Sequence, residues 1–196
     1  MGSVVGIVNS ALSKIGVEPI ASLSEESKAG RLANRTFYVI LDALLYDHYW
    51  NFAIKRQALA LDPTPAIGGG SKFVLPADME RPIRLLNNYP YKIESGFLIT
   101  SNVSEANLLY VWRNHNPATF TSKFSEALAY RLAAEWAYPL VQSVSLGESM
   151  EKKAKSFTLD AAATDAQEDY LDTAHSNQFL DAHFAESDYP STYERY

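Results

Sequence analysis

The apolar residues between Ala29 and Leu45 constrain this chain more than any other feature. Ala29, Leu32, Ala33, Phe37, Ile40, Leu41, Leu44 and Leu45 keep to one helical face for five turns. With Ser24 as N-cap, and Glu25 and Glu26 at the positive end of the helix dipole, a helix running to His48 is about 37 Å long. In a chain of 196 residues such a stripe must be buried against other helices. Three more are expected. Val4, Ile7, Val8, Ala11, Leu12 and Ile15 mark a first helix stopped by Gly16, and Pro19 forbids its continuation. Thr121 caps a third, with Phe124, Leu128, Leu132, Ala133, Trp136 and Leu140 as its stripe, kinked or ended by Pro139. Gly147 then separates a last helix over 148–170, whose Met150, Ala154, Phe157, Ala161 and Ala162 suit close packing.

Between the helix pairs the period changes. Residues 54–61 alternate as one strand, and short β-like runs follow at 72–75, 83–87, 91–94, 97–100 and 108–112. Ser95-Gly96 reads as a hairpin turn. No crossover helices separate these runs, so the sheet is expected to be antiparallel. The expected class is α+β: a helical bundle (1–53 and 117–170), an inserted small antiparallel β module (54–116) and an extended C-terminal tail (171–196). Leu44, Leu45, Trp50 and Phe52 are expected in the core where bundle and module meet.

There are no cysteines, which excludes disulfide scaffolds, thiolate catalysis and Cys-ligated metals. No apolar run is long enough for a membrane helix, and no signal peptide or myristoylation pattern is visible, since Gly6 stands where Ser or Thr is wanted. A protein made in a cytoplasm is expected. The net charge is −6, unevenly spread. From Asp160 to Tyr196 nine acids face one base, while the remaining 16 bases and 14 acids leave a body of +2. That balance argues against sequence-specific DNA binding, which wants a basic face. The acidic tail also carries Phe179, Phe184, Tyr189, Tyr193 and Tyr196, more aromatics than a solvating tail needs. They are the expected docking anchors. Lining a DNA channel by repulsion is a competing role for the same acids.

Motifs for catalysis are scarce. Gly68-Gly69-Gly70-Ser71-Lys72 lacks the phosphate-loop spacing and precedes a strand rather than a helix. His175 and His183, with Asp172 and Asp181, are a weak metal constellation, and His48 at a helix end reads as structural. Asp78 and Glu80, beside Arg81, are the acids a hydrolase would use, although nothing places them in one cleft. Lys55, Arg56, Arg81, Arg84, Lys92, Trp112 and Arg113 interleave bases with an aromatic, as strand-binding proteins do. An ordinary sheet with one wet face explains them as well. No catalytic, cofactor-binding or metal residue is assigned, and no enzyme is expected.

An ordered set of residues carries a resemblance. It comprises Asn9-Ser10-Ala11-Leu12 with Ile15-Gly16, Pro19-Ile20, Ser22-Leu23, Leu44-Leu45, Trp50-Asn51-Phe52-Ala53, Phe73, Leu75-Pro76-Ala77-Asp78, Arg81 and Tyr110. Phe124-Ser125-Glu126-Ala127-Leu128 and Leu132-Ala133-Ala134-Glu135 complete it. Through their order and spacing over residues 4–170, the chain resembles the tail tubular protein A family of tailed bacteriophages, the head-to-tail adaptors or gatekeepers. The resemblance implies a virion protein assembled as a twelve-copy ring. One side would meet the portal, the other the tail nozzle, tail tube or tail fibres. Double-stranded DNA would pass through without sequence-specific binding, and no catalysis or cofactor is implied. The alternatives are a scaffold or nucleic-acid-binding module using the basic β section, and a carboxylate-dependent hydrolase.

Overall fold

The structure, a computed structural model, describes residues 2–64 and 66–168. Helix α1 spans Val4–Lys14, with Ser3 Oγ accepting from the Gly6 amide. It ends as a Schellman motif: the Gly16 amide donates to Ser13 O and the Val17 amide to Leu12 O, with Gly16 at φ +72°. The Asn9 amide then imitates a backbone pair, donating from Nδ2 to Ile20 O at 3.0 Å and accepting from the Ile20 amide at 2.9 Å. This ties the link between α1 and α2 onto α1.

Helix α2 spans Lys28–Asp47, about 30 Å rather than 37 Å. Ser27, not Ser24, is its N-cap, with Oγ accepting from the Gly30 amide at 3.0 Å. Residues 21–25 form a turn instead: the Glu25 amide donates to Ser22 O, and the Glu25 carboxylate accepts from the Ala21 amide. Gly30 accommodates this turn, since a Cβ there would stand 2.4 Å from the Glu25 carbonyl oxygen.

A 3-10 turn over Asn51–Ala53 leads into β1 (Ile54–Ala58), β2 (Ala60–Leu61), β3 (Ser71–Val74), β4 (Met79–Leu85), β5 (Tyr91–Glu94), β6 (Phe97–Thr100) and β7 (Asn107–Trp112). They form two antiparallel sheets, ordered β1-β7-β4 and β2-β3-β6-β5. The single strand expected over 54–61 is therefore two strands in different sheets. The chain crosses over at buried Leu59, whose amide donates to Ala106 O. Pro82 sits in β4, an edge strand with two register shifts, where a missing N–H is tolerated. Ser95 and Gly96 both have positive φ (51° and 81°), the type I′ turn that joins β5 to β6.

The β1-β7-β4 sheet is a middle layer. Val111 of β7 and Ile83 of β4 belong to the bundle core, whereas Leu108 and Tyr110 of β7 pack with Phe73 and Leu98 of the other sheet. Trp112 touches both cores. Residues 108–111 are consequently buried on both faces, as strands covered on two sides are.

A second 3-10 turn (Pro117–Thr119) leads to α3 (Ser122–Val141), capped by Thr121. Pro139 does not end this helix; it lies in its last turn, and Gln142 at φ 58° provides the stop. Helix α4 (Val144–Glu168) begins before Gly147, which it contains. Ser143 starts it, with its hydroxyl accepting from the Leu146 amide. Gly147 is a helix-packing residue rather than a separator, with Ala134 O and the Ala137 methyl at ordinary contact distance from where a Cβ would be. The last helix was expected to reach Tyr170, which lies outside the described residues. No helix among the described residues is long and apolar enough to cross a membrane.

Candidate interaction surfaces

The corner where α2 meets the strands is built from buried side chains. Leu44, Leu45 and Trp50 are fully buried. Trp50 Nε1 donates at 2.9 Å to the Leu44 carbonyl, one of the last-turn carbonyls that the helix itself leaves without a partner. Half-buried Phe52 packs its ring against Phe120 and Phe124, and Trp50 meets Phe124 edge-on at 4.8 Å. Two buried polar residues close the corner. Asn114 Nδ2 donates to Phe52 O and lies 2.9 Å from Thr119 Oγ1. The Asp165 carboxylate accepts from the Asn51 amide at 3.0 Å, and Asn51 Nδ2 donates to Asp165 O at 2.8 Å. His48 Nε2 stands 3.6 Å from Asp165 Oδ2. These groups pack on or bond to one another across α2, α3, α4 and the strands, so the corner is a joint.

Asp78 and Glu80 face different partners. Lys55 Nζ donates to Asp78 Oδ2 at 2.6 Å, and the Tyr110 hydroxyl lies 3.0 Å from both Asp78 Oδ1 and Gln57 Oε1. Burial raises the Asp78 pKa, but hydrogen bonds from Lys55 and Tyr110 and the Lys55 charge outweigh it, leaving the group below its ordinary value. Burial first, and the hydrogen bond to the Asp78 carboxylate second, push the Tyr110 hydroxyl up to about 12. Glu80 pairs with Arg113 at 3.0 Å. A general acid needs a raised carboxyl pKa, and Asp78 moves the other way.

The basic residues of the β section are largely committed within the fold. Lys55, paired with Asp78, also lies 3.8 Å from the Trp112 ring centroid. Arg81 donates to Tyr46 O and the Tyr49 hydroxyl, both at 3.0 Å, and lies over the Tyr49 ring. Arg113 bridges Asp42 and Glu80, and Arg84 donates to Asn88 Oδ1. Arg56 and Lys92 remain without a hydrogen bond or ion pair among the described residues. His115 Nε2 is 2.7 Å from Asp42 Oδ1. Among the described residues no group of three or more His, Asp or Glu is placed to hold a metal ion. Gly70 leads directly into β3, so the glycine run closes a hairpin and aims no helix at a phosphate. His175, His183 and the aromatics Phe179, Phe184, Tyr189, Tyr193 and Tyr196 lie outside the described residues.

Several surfaces are open among the described residues. At the α3–α4 turn, Tyr138, Val141 and Val144 are exposed. On the outer sheet and its loops, Leu61, Ile67, Val74 and Ile93 are exposed. Between α2 and α3 runs a groove of about 450 Å³ lined by Leu32, Val39, Ile40, Ala43, Trp136 and Pro139, with Arg35, Arg131 and Glu135 at its rim. Lys28 and Arg31 extend it past Pro139. Lys28, Arg31 and Arg35 at helical spacing are the sequence signal of its basic part, and Leu32 and Ile40 of the apolar stripe line it beside them. No protein-family model matches the chain, and no curated protein matches it.

Proposed function

We propose that the protein is a structural head-to-tail adaptor of a tailed phage virion, forming a ring between the portal and the tail nozzle or tube. The observation that carries this reading is a pair of separate apolar surfaces among the described residues. Tyr138, Val141 and Val144 lie at one end of α3; Leu61, Val74 and Ile93 lie on the β sheet attached beyond its other end. Helix α3 alone spans about 30 Å, so the two cannot cover each other within one chain. A cyclic ring needs unlike surfaces that meet head to tail. The residues carrying the resemblance add support, because Asn9–Ile20, Trp50–Phe52 and Asp78–Tyr110 hold the joints of a bundle with inserted strands. The internal pairing of Lys55, Arg81 and Arg113 weighs against the strand-binding alternative, and the low Asp78 pKa against the hydrolase.

Native mass spectrometry of the full chain with the portal protein of the same genome tests the reading. A portal-bound species with about twelve copies, as the resemblance implies, supports it. A chain that stays monomeric and ignores the portal overturns it. Deleting 175–196 is expected to abolish portal binding without unfolding the bundle.

A further inference from the structure

We infer that the groove between α2 and α3 is the seat of the chain's own C-terminal segment, residues 169–196. This goes beyond the adaptor reading and does not depend on it. The groove has two chemically different halves. Toward the C-terminal end of α2 it is apolar, with Val39 70% exposed and Ala43 beside it. Toward the N-terminal end it is basic, with Lys28, Arg31 and Arg35. Arg35 is exposed and has no hydrogen bond or ion pair among the described residues. Among the described residues Arg31 reaches only Glu26, and Lys28 only the Pro139 carbonyl. Arg131 is shared with Asp47, and Glu135 is the acid on the rim.

Residues 169–196 have the complementary composition. They hold six acids and one base, with Tyr170, Phe179, Phe184, Tyr189, Tyr193 and Tyr196 as apolar anchors. An aromatic fills an apolar groove at low entropic cost, and a carboxylate beside an arginine forms a charge-assisted hydrogen bond.

Connectivity places the segment at the right end. Asp165, close to the end of α4, is bonded to Asn51, just past the C-terminal end of α2. On this inference a segment that leaves from there meets the apolar half of the groove first and the basic half after it. The groove follows α2 from Ala43 to Lys28, about 22 Å, whereas 28 extended residues reach on the order of 90 Å. A tether of this length holds the segment at roughly millimolar effective concentration, so at micromolar protein the chain's own segment outcompetes another copy's.

The natural chain has no cysteine, so introduced pairs report proximity alone. Full-length protein carrying Ala43→Cys with Ser176→Cys, Ala185→Cys or Ser191→Cys is oxidised at micromolar concentration and read by intact mass. Leu159→Cys on α4, 71% exposed and nearer in sequence, replaces Ala43→Cys as the control. The expected result is a disulfide within one chain, formed at least fivefold faster with Ala43→Cys than with Leu159→Cys for at least one of the three positions. Arg31→Glu with Arg35→Glu, or molar salt, is expected to remove that preference. Equal rates at both sites for all three positions overturn the inference. Disulfides joining two chains overturn it in favour of a neighbour's segment as occupant.

Discussion

Asp165 and Asn51 hydrogen-bond reciprocally: the Asp165 carboxylate accepts from the Asn51 amide while Asn51 Nδ2 donates to the Asp165 carbonyl. The pair joins the last turn of α4 to the point where the chain leaves α2 for the strands. Asp165 is 5% exposed, so water does not replace a lost partner freely. Asp165→Ala is expected to cost about 1–3 kcal/mol. Asp165→Asn keeps an acceptor and should cost less. Urea denaturation of the two variants measures the difference.

Tyr110 makes stability fall at alkaline pH. Its folded pKa is raised to about 12 from 10.0, so the folded protein holds a proton that the unfolded chain releases. The contribution is complete below pH 10 and is lost as pH rises toward 12. Two units amount to roughly 2–3 kcal/mol at most. Asp78 has the opposite sign: its lowered pKa stabilises above the ordinary carboxylate value and the contribution disappears as pH falls through the folded one. Tyr110→Phe is expected to lower stability at neutral pH and to flatten the loss between pH 10 and 12. Melting temperatures across that window check it.

Glycine-to-alanine substitutions should differ in sign at two helical positions. At Gly147 a methyl finds ordinary contacts at 3.5 and 3.7 Å, so Gly147→Ala is expected to stabilise by about 0.5–1 kcal/mol through helix propensity. At Gly30 the methyl would stand 2.4 Å from the Glu25 carbonyl oxygen, so Gly30→Ala should destabilise by opening the turn before α2. Thermal unfolding of the two variants side by side separates packing from propensity.

Trp50→Phe removes the donor that satisfies the Leu44 carbonyl within a fully buried site. A loss of about 1–3 kcal/mol is expected from that unpaired carbonyl, with more from the space left by the smaller ring. If melting is unchanged, the indole hydrogen bond does not hold the corner.

Much of the α+β class was legible before any coordinates because its signals are local. α1 ends through the Gly16 amide bonded three residues back and the Val17 amide bonded five back, Thr121 caps α3 three residues on, and the Ser95-Gly96 turn fixes the β5–β6 register. The extent of the apolar stripe on α2 was also readable, but its cap was not. Ser24 and Ser27 are equivalent by composition, and only the turn held by Glu25 decides between them.

What the sequence by itself determined are the elements whose stabilising partners lie within about one turn: the helices, the tight hairpin and the absence of cysteine chemistry. The tertiary structure alone decided the division of 54–61 between two sheets, since β1 pairs with a strand about fifty residues away. It also decided which charges are spent inside the fold, because Lys55 finds Asp78 and Arg113 finds both Asp42 and Glu80 across strands and a helix. A charge's partner depends on which distant backbone is brought beside it, and no local pattern of residue types records that.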